Sequence, residues 1–157
     1  MDKPQKDYVK YIREKVGHET LILNYAGCII TNEKEQLLLQ KRTDCNEWGF
    51  LGGIIEIGES AHDAAIREVL EESGYNIEIH NLFGIYTKYF TTYSNGDSVQ
   101  TILHMFEANI IGGSSIINNS ETIELKWFAK TELPILFNNQ HNDILNDYLT
   151  GKKGFFR

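Results

Sequence analysis

The sequence has little of what stabilises small secreted domains and no run that could cross a membrane. It contains two cysteines, Cys28 and Cys45, which are too few for a disulfide framework and lack the spacing of zinc ligands. No apolar run approaches the roughly 20 residues that span a bilayer, and the first residues lack the apolar stretch of a signal peptide. We therefore expect a cytoplasmic protein with no membrane partner, with reduced thiols and with Cys28 in the core.

Positive charge is also scarce. Lys and Arg number 15 against 22 Asp and Glu, which gives a formal net charge of −7. Non-specific binding of nucleic acid depends on Lys and Arg that neutralise phosphates, so we expect no nucleic-acid partner. If the ligand is a phosphate ester, divalent cations would have to supply the positive charge.

Turn residues and apolar periodicity divide the chain into helices and strands that do not alternate as βαβα. The predicted helices are 4–16 ended by Gly17, a helix from the N-cap Ser60 to about Ser73, and 138–149. The predicted strands are 21–31 and 36–42 as one hairpin, 76–89 and 98–108 joined by a two-residue turn at Asn95-Gly96, and 124–129. This order favours an α+β fold, an α/β/α sandwich with a mixed β-sheet.

The length of 157 residues suits one domain, 1–157. Within it we distinguish a helical extension over 1–17 and a C-terminal helix over 138–150. The extension could pack on the domain or contribute to a homodimer, and the sequence leaves both open.

Three glutamates share one side of the central helix. At about 100° per residue, Glu68, Glu71 and Glu72 lie within an arc of about 100°. The other side carries the apolar residues Ile66, Val69 and Leu70. We expect this apolar side to face the core and the glutamates to face a cleft. A charge run of this kind is usually a solvated helix face, but grouped carboxylates also bind hard cations such as Mg²⁺ or Mn²⁺.

The surrounding residues distinguish between these two interpretations. Seven residues around the glutamates have a distinctive spacing: Gly53, Glu59, Arg67-Glu68, Glu71-Glu72 and Gly74. They match the pattern Gly-x5-Glu-x7-Arg-Glu-U-x-Glu-Glu-x-Gly-U, with U aliphatic, and through this box at 53–75 the chain resembles the Nudix hydrolases, of the MutT type. Seven fixed residues at about 5–7% usage each give a chance match odds on the order of one in a million. Two neighbouring positions depart from common members, because Leu51 replaces a frequent proline and Tyr75 takes the last aliphatic position.

The resemblance implies a Nudix-type α/β/α sandwich in which the box forms a loop–helix–loop that binds divalent cations, Mg²⁺ or also Mn²⁺. Members mostly hydrolyse a nucleoside diphosphate linked to another group, X, and release a nucleoside monophosphate and phosphorylated X. Carried over by position, the expected metal ligands are Glu68, Glu71, Glu72 and the backbone carbonyl of Gly53. Glu59 and Arg67 are expected to hold loop and helix together. These five box side chains, from Glu59 to Glu72, are thus the expected catalytic residues.

Family members also differ in the group that accepts the proton of the attacking water. Glu71 or Glu72 is the first expectation here. The family often takes this base, or a further metal ligand, from a glutamate downstream of the box. Candidates in this chain are Glu121 and Glu124, with Glu107 third, although each is also explained as a surface or strand glutamate.

Substrate contacts are less well defined by the sequence. Arg42 ends a predicted strand and could reach a phosphate or lie at the surface. Tyr89 and Tyr93 follow the box and could stack on a nucleobase, with strand packing as the alternative. Some dinucleoside polyphosphate hydrolases of the family carry a tyrosine near the place of Tyr93. The ADP-sugar group typically carries a proline about fifteen residues past the box. The prolines here are Pro4 and Pro134, which argues mildly against that group.

Two other functions occur on this fold. Non-catalytic nucleotide sensors often lose glutamates of the box, and a diphosphate isomerase needs a catalytic cysteine and glutamate elsewhere in the chain. The complete Arg67-Glu68-x-x-Glu71-Glu72 favours hydrolysis of a small nucleotide substrate over both.

Overall fold

The computed structural model describes residues 7–117 and 120–157. Its elements are α1 Tyr8–Val16, β1 Leu21–Ile30, β2 Leu37–Arg42, β3 Trp48–Gly49, β4 Leu51–Ile54, α2 Ala61–Ser73, β5 Tyr75–Thr92, β6 Ser98–Gly113, β7 Thr122–Phe128, α3 Asn139–Leu149 and β8 Phe155–Phe156. The predicted α+β class is confirmed. The first helix begins later than predicted, because Asp7 caps it by accepting the N–H of Lys10. Pro4 lies outside the described residues.

The strands form two sheets. The larger has the order β4-β1-β6-β5-β8 and is mixed, since β1 pairs antiparallel with β4 and parallel with β6. The smaller has the order β3-β2-β7 and is antiparallel. Side chains alternate along β1, so that Cys28 and Ile30 join an apolar cluster with α2, whereas Ile29 joins a second cluster with α3. The large sheet thus lies between two apolar layers, and Cys28 is in the core as predicted.

The predicted hairpin between 21–31 and 36–42 is wrong. Among the described residues, Thr31, which directly follows β1, forms an isolated bridge with Leu37 of β2, and β2 lies between β3 and β7. Leu38 packs in the cluster with α2, whereas Leu37 and Leu39 pack in the cluster with α3. Because β2 is buried on both faces, it runs through the interior of the protein. Both edges of β1 are already paired, with β4 and β6, so β2 cannot pair along β1.

The turn between β5 and β6 has three residues instead of two. Tyr93 donates its N–H to the carbonyl of Asp97 at 2.8 Å, and Gly96 donates to the carbonyl of Tyr93 at 3.0 Å. Gly96 has a φ of 92°, so a turn is followed by a left-handed residue, a common three-residue hairpin geometry. The hairpin was therefore predicted in the right place but with the wrong loop length.

The helix of the box has the ends that its capping residues predict. The hydroxyl of Ser60 accepts the N–H of Asp63 at 3.0 Å, and Gly74 follows the last turn with a φ of 79°. Asn138 caps α3 in the same way, by accepting the N–H of His141. Within the described ranges, no helix is both long and apolar enough to cross a membrane.

Candidate active site

The side of α2 that faces the sheet is the side that carries two of its glutamates. The buried residues of this helix are Ala64, Ala65, Glu68, Val69, Glu72 and Ser73. Of the expected apolar face, Val69 is buried and Ile66 is partly buried against the same apolar cluster. The expectation is wrong for Leu70, which is 45% exposed. The small alanines let α2 pack closely on β1 and β4, which encloses the glutamates of the same face.

Two glycines of β4 bring the backbone against these carboxylates. A Cβ atom at Gly53 would lie 2.6 and 2.7 Å from the two carboxylate oxygens of Glu68, so any larger residue here would displace that carboxylate. Gly52 donates its N–H to Oε1 of Glu72 at 3.0 Å. The predicted ligand Gly53 is therefore in direct contact with the predicted ligand Glu68.

A third carboxylate, Glu121, joins this pair from the residue before β7. One oxygen each of Glu68, Glu72 and Glu121 lie within 4.8 Å of one another. The next residue, Thr122, holds Glu121 in this position, because the hydroxyl of Thr122 donates to the carbonyl of Glu72 at 2.9 Å. The amide of Gln40 in turn donates to this hydroxyl at 2.8 Å. Sequence reasoning missed Gln40 and Thr122, because each is a common polar residue in a strand and no local pattern distinguishes it.

The electrostatics of the cluster are those of a cation site. Burial raises the pKa of Glu72 well above its ordinary value, and the charge of Glu68 raises it further, while the N–H of Gly52 opposes the shift. Burial likewise raises the pKa of Glu68, against the effect of Arg67. Carboxylates that are desolvated and close together disfavour their own charge. A divalent cation would relieve this cost, and an all-oxygen donor set suits a hard ion such as Mg²⁺ or Mn²⁺.

Arg67 joins the loop of the box to its helix. Its guanidinium donates to both carboxylate oxygens of Glu59, at 2.5 and 2.8 Å, and to the carbonyl of Ile54 at 3.0 Å. A third nitrogen, Nη1, donates to Glu68 at 2.8 Å. The hydrogen bonds from Arg67 lower the pKa of Glu59, and those to Glu59 raise the pKa of Arg67. Both groups stay charged, and Arg67 fixes the orientation of the Glu68 carboxylate.

Glu71 lies outside the cluster of three carboxylates. Its side chain is 59% exposed and lies 3.3 Å from Nη1 of Arg67. It is therefore at the rim of the site, one helical turn beyond Arg67, and it is the one box glutamate that the fold does not enclose.

The other two downstream candidates are not brought into the cluster. Glu107 lies on β6, where its carboxylate forms an ion pair with Lys153 at 2.8 Å. Glu124 is exposed on β7, in register with Lys41 of β2. Of the three downstream glutamates considered, the structure brings Glu121 to the carboxylates of α2.

Arg42 lies at the end of β2 on the same side as the cluster. Its guanidinium forms two hydrogen bonds to Asp44, at 2.9 and 2.7 Å, and its centre lies 4.5 Å from the ring of Phe137. It also lies close enough to Glu72 for its charge to lower the pKa of that residue. The guanidinium of Arg42 is thus bound by an exposed carboxylate and lies close to an aromatic ring.

The two tyrosines differ in their accessibility. The hydroxyl of Tyr89 donates to Asp143 at 2.7 Å, and burial is the main cause of its raised pKa. Tyr89 lines a groove of about 600 Å³ between β5 and the start of α3, together with Phe90 and Asp143. Tyr93 lies in the β5–β6 loop and is 48% exposed. Tyr89 is thus partly a packing residue, as the alternative interpretation held, whereas the ring of Tyr93 is accessible.

Comparison with known proteins places these features in a family context. A family model described as the NUDIX domain matches residues 23–148. A Bacillus subtilis (strain 168) protein named "Putative 8-oxo-dGTP diphosphatase" is 36% identical over 126 residues, which are 80% of this chain and 79% of that protein. The "RNA pyrophosphohydrolase" of Ruthia magnifica subsp. Calyptogena magnifica is 29% identical over 160 residues, covering 78% of this chain and 87% of its own length.

Solved structures agree in the fold. A UDP-X diphosphatase superposes with a TM-score of 0.68 at 19% identity, covering 98% of this chain and 75% of its own. A Nitrosomonas europaea protein titled as a NUDIX hydrolase gives a TM-score of 0.69 at 22% identity, covering 85% of this chain and 93% of its own. At this level of identity the likeness concerns the arrangement of helices and strands.

Proposed function

Since this chain belongs to the Nudix hydrolase family, which hydrolyses pyrophosphate bonds, we propose that it cleaves a nucleoside diphosphate linked to a further group X in a reaction that requires Mg²⁺. One observation carries the metal-dependent part of this proposal: three carboxylates from two elements converge within 4.8 Å of one another, two of them buried. Without a cation this arrangement costs stability.

The donor set fits Mg²⁺ or Mn²⁺. Glu68 and Glu72 would hold the ion from α2, Glu121 from the start of β7, and the carbonyl of Gly53 from β4. Glu71, at the rim, would bind a further ion or one that arrives with the nucleotide. When bound, the ions would neutralise the diphosphate and lower the pKa of water near the phosphorus.

The remaining steps depend on the side chains. Arg67 holds the carboxylate of Glu68 in one orientation through their 2.8 Å hydrogen bond. Glu121 is the exposed member of the cluster. One of its carboxylate oxygens would hold the ion, and we assign to the other the acceptance of the proton from the attacking water. The oxygen of water then bonds to one phosphorus, the bridging P–O bond breaks, and the products are a nucleoside monophosphate and phosphorylated X, or pyrophosphate when the substrate is a triphosphate.

Arg42 and Tyr93 are the proposed substrate contacts. Arg42 would leave Asp44 and donate to a phosphate of the substrate, while the ring of Phe137, whose centre lies 4.5 Å from the guanidinium carbon, would keep the guanidinium in place. Tyr93 offers an accessible ring to a base. The relatives are named for different nucleotides but for cleavage of the same kind of bond, a pyrophosphate bond, which supports the reaction more than any one substrate.

The isomerase alternative is opposed by the cysteines. Cys28 is completely buried, and burial raises the pKa of its thiol to about 12, so it stays protonated and out of contact with substrate. Cys45 is exposed, in the loop that follows Arg42, and the pKa of its thiol is also raised, chiefly by desolvation. The complete carboxylate cluster likewise favours hydrolysis over a sensor function.

The test is a panel of substrates with a matched pair of variants. The purified protein with Mg²⁺ is incubated with nucleoside triphosphates, oxidised nucleotides, nucleotide sugars, dinucleoside polyphosphates and CDP-alcohols, and products are separated by chromatography. Cleavage to a monophosphate that stops with EDTA and in Glu121→Gln, but persists in the neighbouring Glu124→Gln, supports the assignment. If no member of the panel is cleaved while one of them raises the melting temperature, the protein is a binding module instead.

A further inference from the structure

The N-terminal helix α1 is fastened to the domain by polar contacts at its two ends. None of its nine described residues is buried, so it adds little to the apolar core. Near its C-terminal end Arg13 donates to the carbonyls of Ser98 at 2.9 Å and Glu19 at 2.6 Å. At its N-terminal end Tyr8 donates its N–H to Oε2 of Glu56 at 2.9 Å. A helix this short is not stable alone, so these contacts determine where it lies.

Glu56 lies in the loop of the box, in a turn that it shares with Glu59. Glu59 donates its N–H to the carbonyl of Glu56 at 3.1 Å, and Gly58 has a φ of 90°, as a type II turn requires. The N–H of Glu56 in turn donates to Oε2 of Glu59 at 3.1 Å. The backbone of Glu56 is therefore tied to Glu59, and its carboxylate is tied to the first turn of α1, where the helix dipole favours negative charge.

Glu59 extends this series of contacts into the site. The same Oε2 atom that accepts from Glu56 also accepts from Arg67 at 2.8 Å. Arg67 then donates to Glu68 at 2.8 Å. A continuous series of hydrogen bonds therefore runs from the N-terminus of α1 through the loop of the box to a carboxylate of the cluster.

We propose that Glu56 is a positioning residue: by fastening the loop of the box to α1, it holds Glu59 and Arg67 where they present Glu68 to the metal. Glu56 acts through these residues and not on the reacting atoms. The inference rests on the proposed function in one respect, namely that Glu68 is a metal ligand. It also assigns a purpose to α1, which would serve the site instead of the core.

Affinity for Mn²⁺ alone tests this without any nucleotide. Isothermal titration of the full-length chain compares the wild type with Glu56→Ala, Glu56→Gln, Arg13→Ala and the double variant Glu56→Ala/Arg13→Ala. The matched control is Glu14→Ala, an exposed residue of the same helix. Circular dichroism at the titration temperature verifies folding, and Arg13→Ala tests the proposal from the helix side should Glu56→Ala unfold.

The proposal predicts a specific pattern of dissociation constants. Loss of a residue that hydrogen-bonds to a metal ligand commonly weakens metal binding about 10–100-fold. Glu56 is connected to the ligand Glu68 through Glu59 and Arg67, so we expect the smaller effect of about 5-fold for Glu56→Ala. Glu56→Gln keeps an oxygen acceptor for the N–H of Tyr8 and should stay within about 2-fold of wild type. Arg13→Ala should resemble Glu56→Ala, and the double variant should be no worse than either single, since both release the same helix.

Three results overturn the proposal. A lower melting temperature in Glu56→Ala with unchanged Mn²⁺ affinity means that the contact is structural alone. Additive effects in the double variant mean that Arg13 and Glu56 do not act through one element. Absence of Mn²⁺ binding by the wild type removes the ligand assignment itself. Tight Mn²⁺ binding without cleavage of any nucleotide contradicts the proposed hydrolysis, while the comparison of dissociation constants still decides the role of Glu56.

Discussion

Replacing Glu72 by glutamine should make the metal-free protein more stable while it removes most of the activity. Glu72 is 2% exposed, and its carboxylate lies beside two others. Glutamine has nearly the same shape, keeps an oxygen for the N–H of Gly52, and presents an NH₂ group to the neighbouring carboxylates. The substitution therefore removes a buried charge without opening a cavity, and with it a proposed ligand of the metal.

The expected gain follows from the charges in the cluster. At the 4.8 Å limit that bounds the cluster, two unit charges repel by about 3.5 kcal/mol with an effective dielectric constant of about 20. Protonation limits this cost. At pH 8, holding a proton on a group with an ordinary pKa of 4.5 costs about 5 kcal/mol, at about 1.4 kcal/mol per pH unit. Burying an amide also has a cost, so we expect a gain of about 1–3 kcal/mol, or about 2–10 °C in melting temperature.

The gain should depend on pH in a defined direction. The folded-state pKa of Glu72 is raised above its unfolded value of 4.5, so the folded protein binds more protons between these two values. The contribution of Glu72 to the free energy of unfolding therefore falls as the pH rises from about 4.5 to the folded-state pKa, and this contribution is constant above that pKa. Glu72→Gln lacks this loss. The difference between the two proteins should be small near pH 4.5–5 and largest in the alkaline range.

Thermal unfolding in EDTA at pH 5 and pH 8 measures both quantities, with Glu33→Gln, an exposed loop glutamate, as the control for loss of one charge. Addition of Mn²⁺ at pH 8 should stabilise the wild type and leave the variant nearly unchanged. The difference in melting temperature between the two proteins should therefore shrink or change sign. A variant that is less stable than wild type in EDTA at pH 8, or a gain that is equal at both pH values, would falsify this account of the buried charge.

Three further predictions concern neighbouring positions. Gly53→Ala places a methyl group against a carboxylate of α2 and should lower kcat on the order of 100-fold, whereas Gly112→Ala, where the nearest atom is 3.8 Å from the added carbon, should have no such effect; equal activity of the two variants would contradict the close contact. Arg67→Lys loses the two-pronged hydrogen bond and should weaken Mn²⁺ binding about 10–100-fold in a titration without substrate, and wild-type affinity would refute its orienting role. Thr122→Val removes the hydroxyl that donates to the carbonyl of Glu72 and should cost about 1–3 kcal/mol in denaturant unfolding together with a loss of metal affinity. A loss of stability alone would mean that this contact does not hold the third carboxylate.

The helix of the box shows which features can be predicted from residues that are close together in the sequence. Its ends were predicted correctly because a cap is a contact between residues three or four apart, as between Ser60 and Asp63. The pairing of Glu59 with Arg67 was also expected, as an implication of the resemblance to the family's box, and the structure forms it. Both depend on the chain nearby.

Two expectations failed where distant segments meet, and a third failed within a local turn. β2 was assigned to a hairpin with β1 because the two strands are adjacent in sequence, but its burial on both faces requires neighbours from elsewhere in the chain. Leu70 was placed toward the core by hydrophobic periodicity, whereas the alanines pack more closely on β4 and place Glu68 and Glu72 inside. The three-residue loop at Gly96 differs from the predicted hairpin by one residue of register, which a dipeptide pattern does not specify.

By itself, the sequence determined the family, the bounds of the box helix and the identity of most proposed metal ligands, because these properties reside in a short segment with fixed spacing. The tertiary structure alone decided which downstream glutamate completes the cluster. Glu121 reaches Glu72 because Thr122 and Gln40 hold the start of β7 against the end of α2, and these residues are up to 82 positions apart. It also decided that two of the box glutamates are buried, since burial depends on what packs against a helix and not on the helix itself.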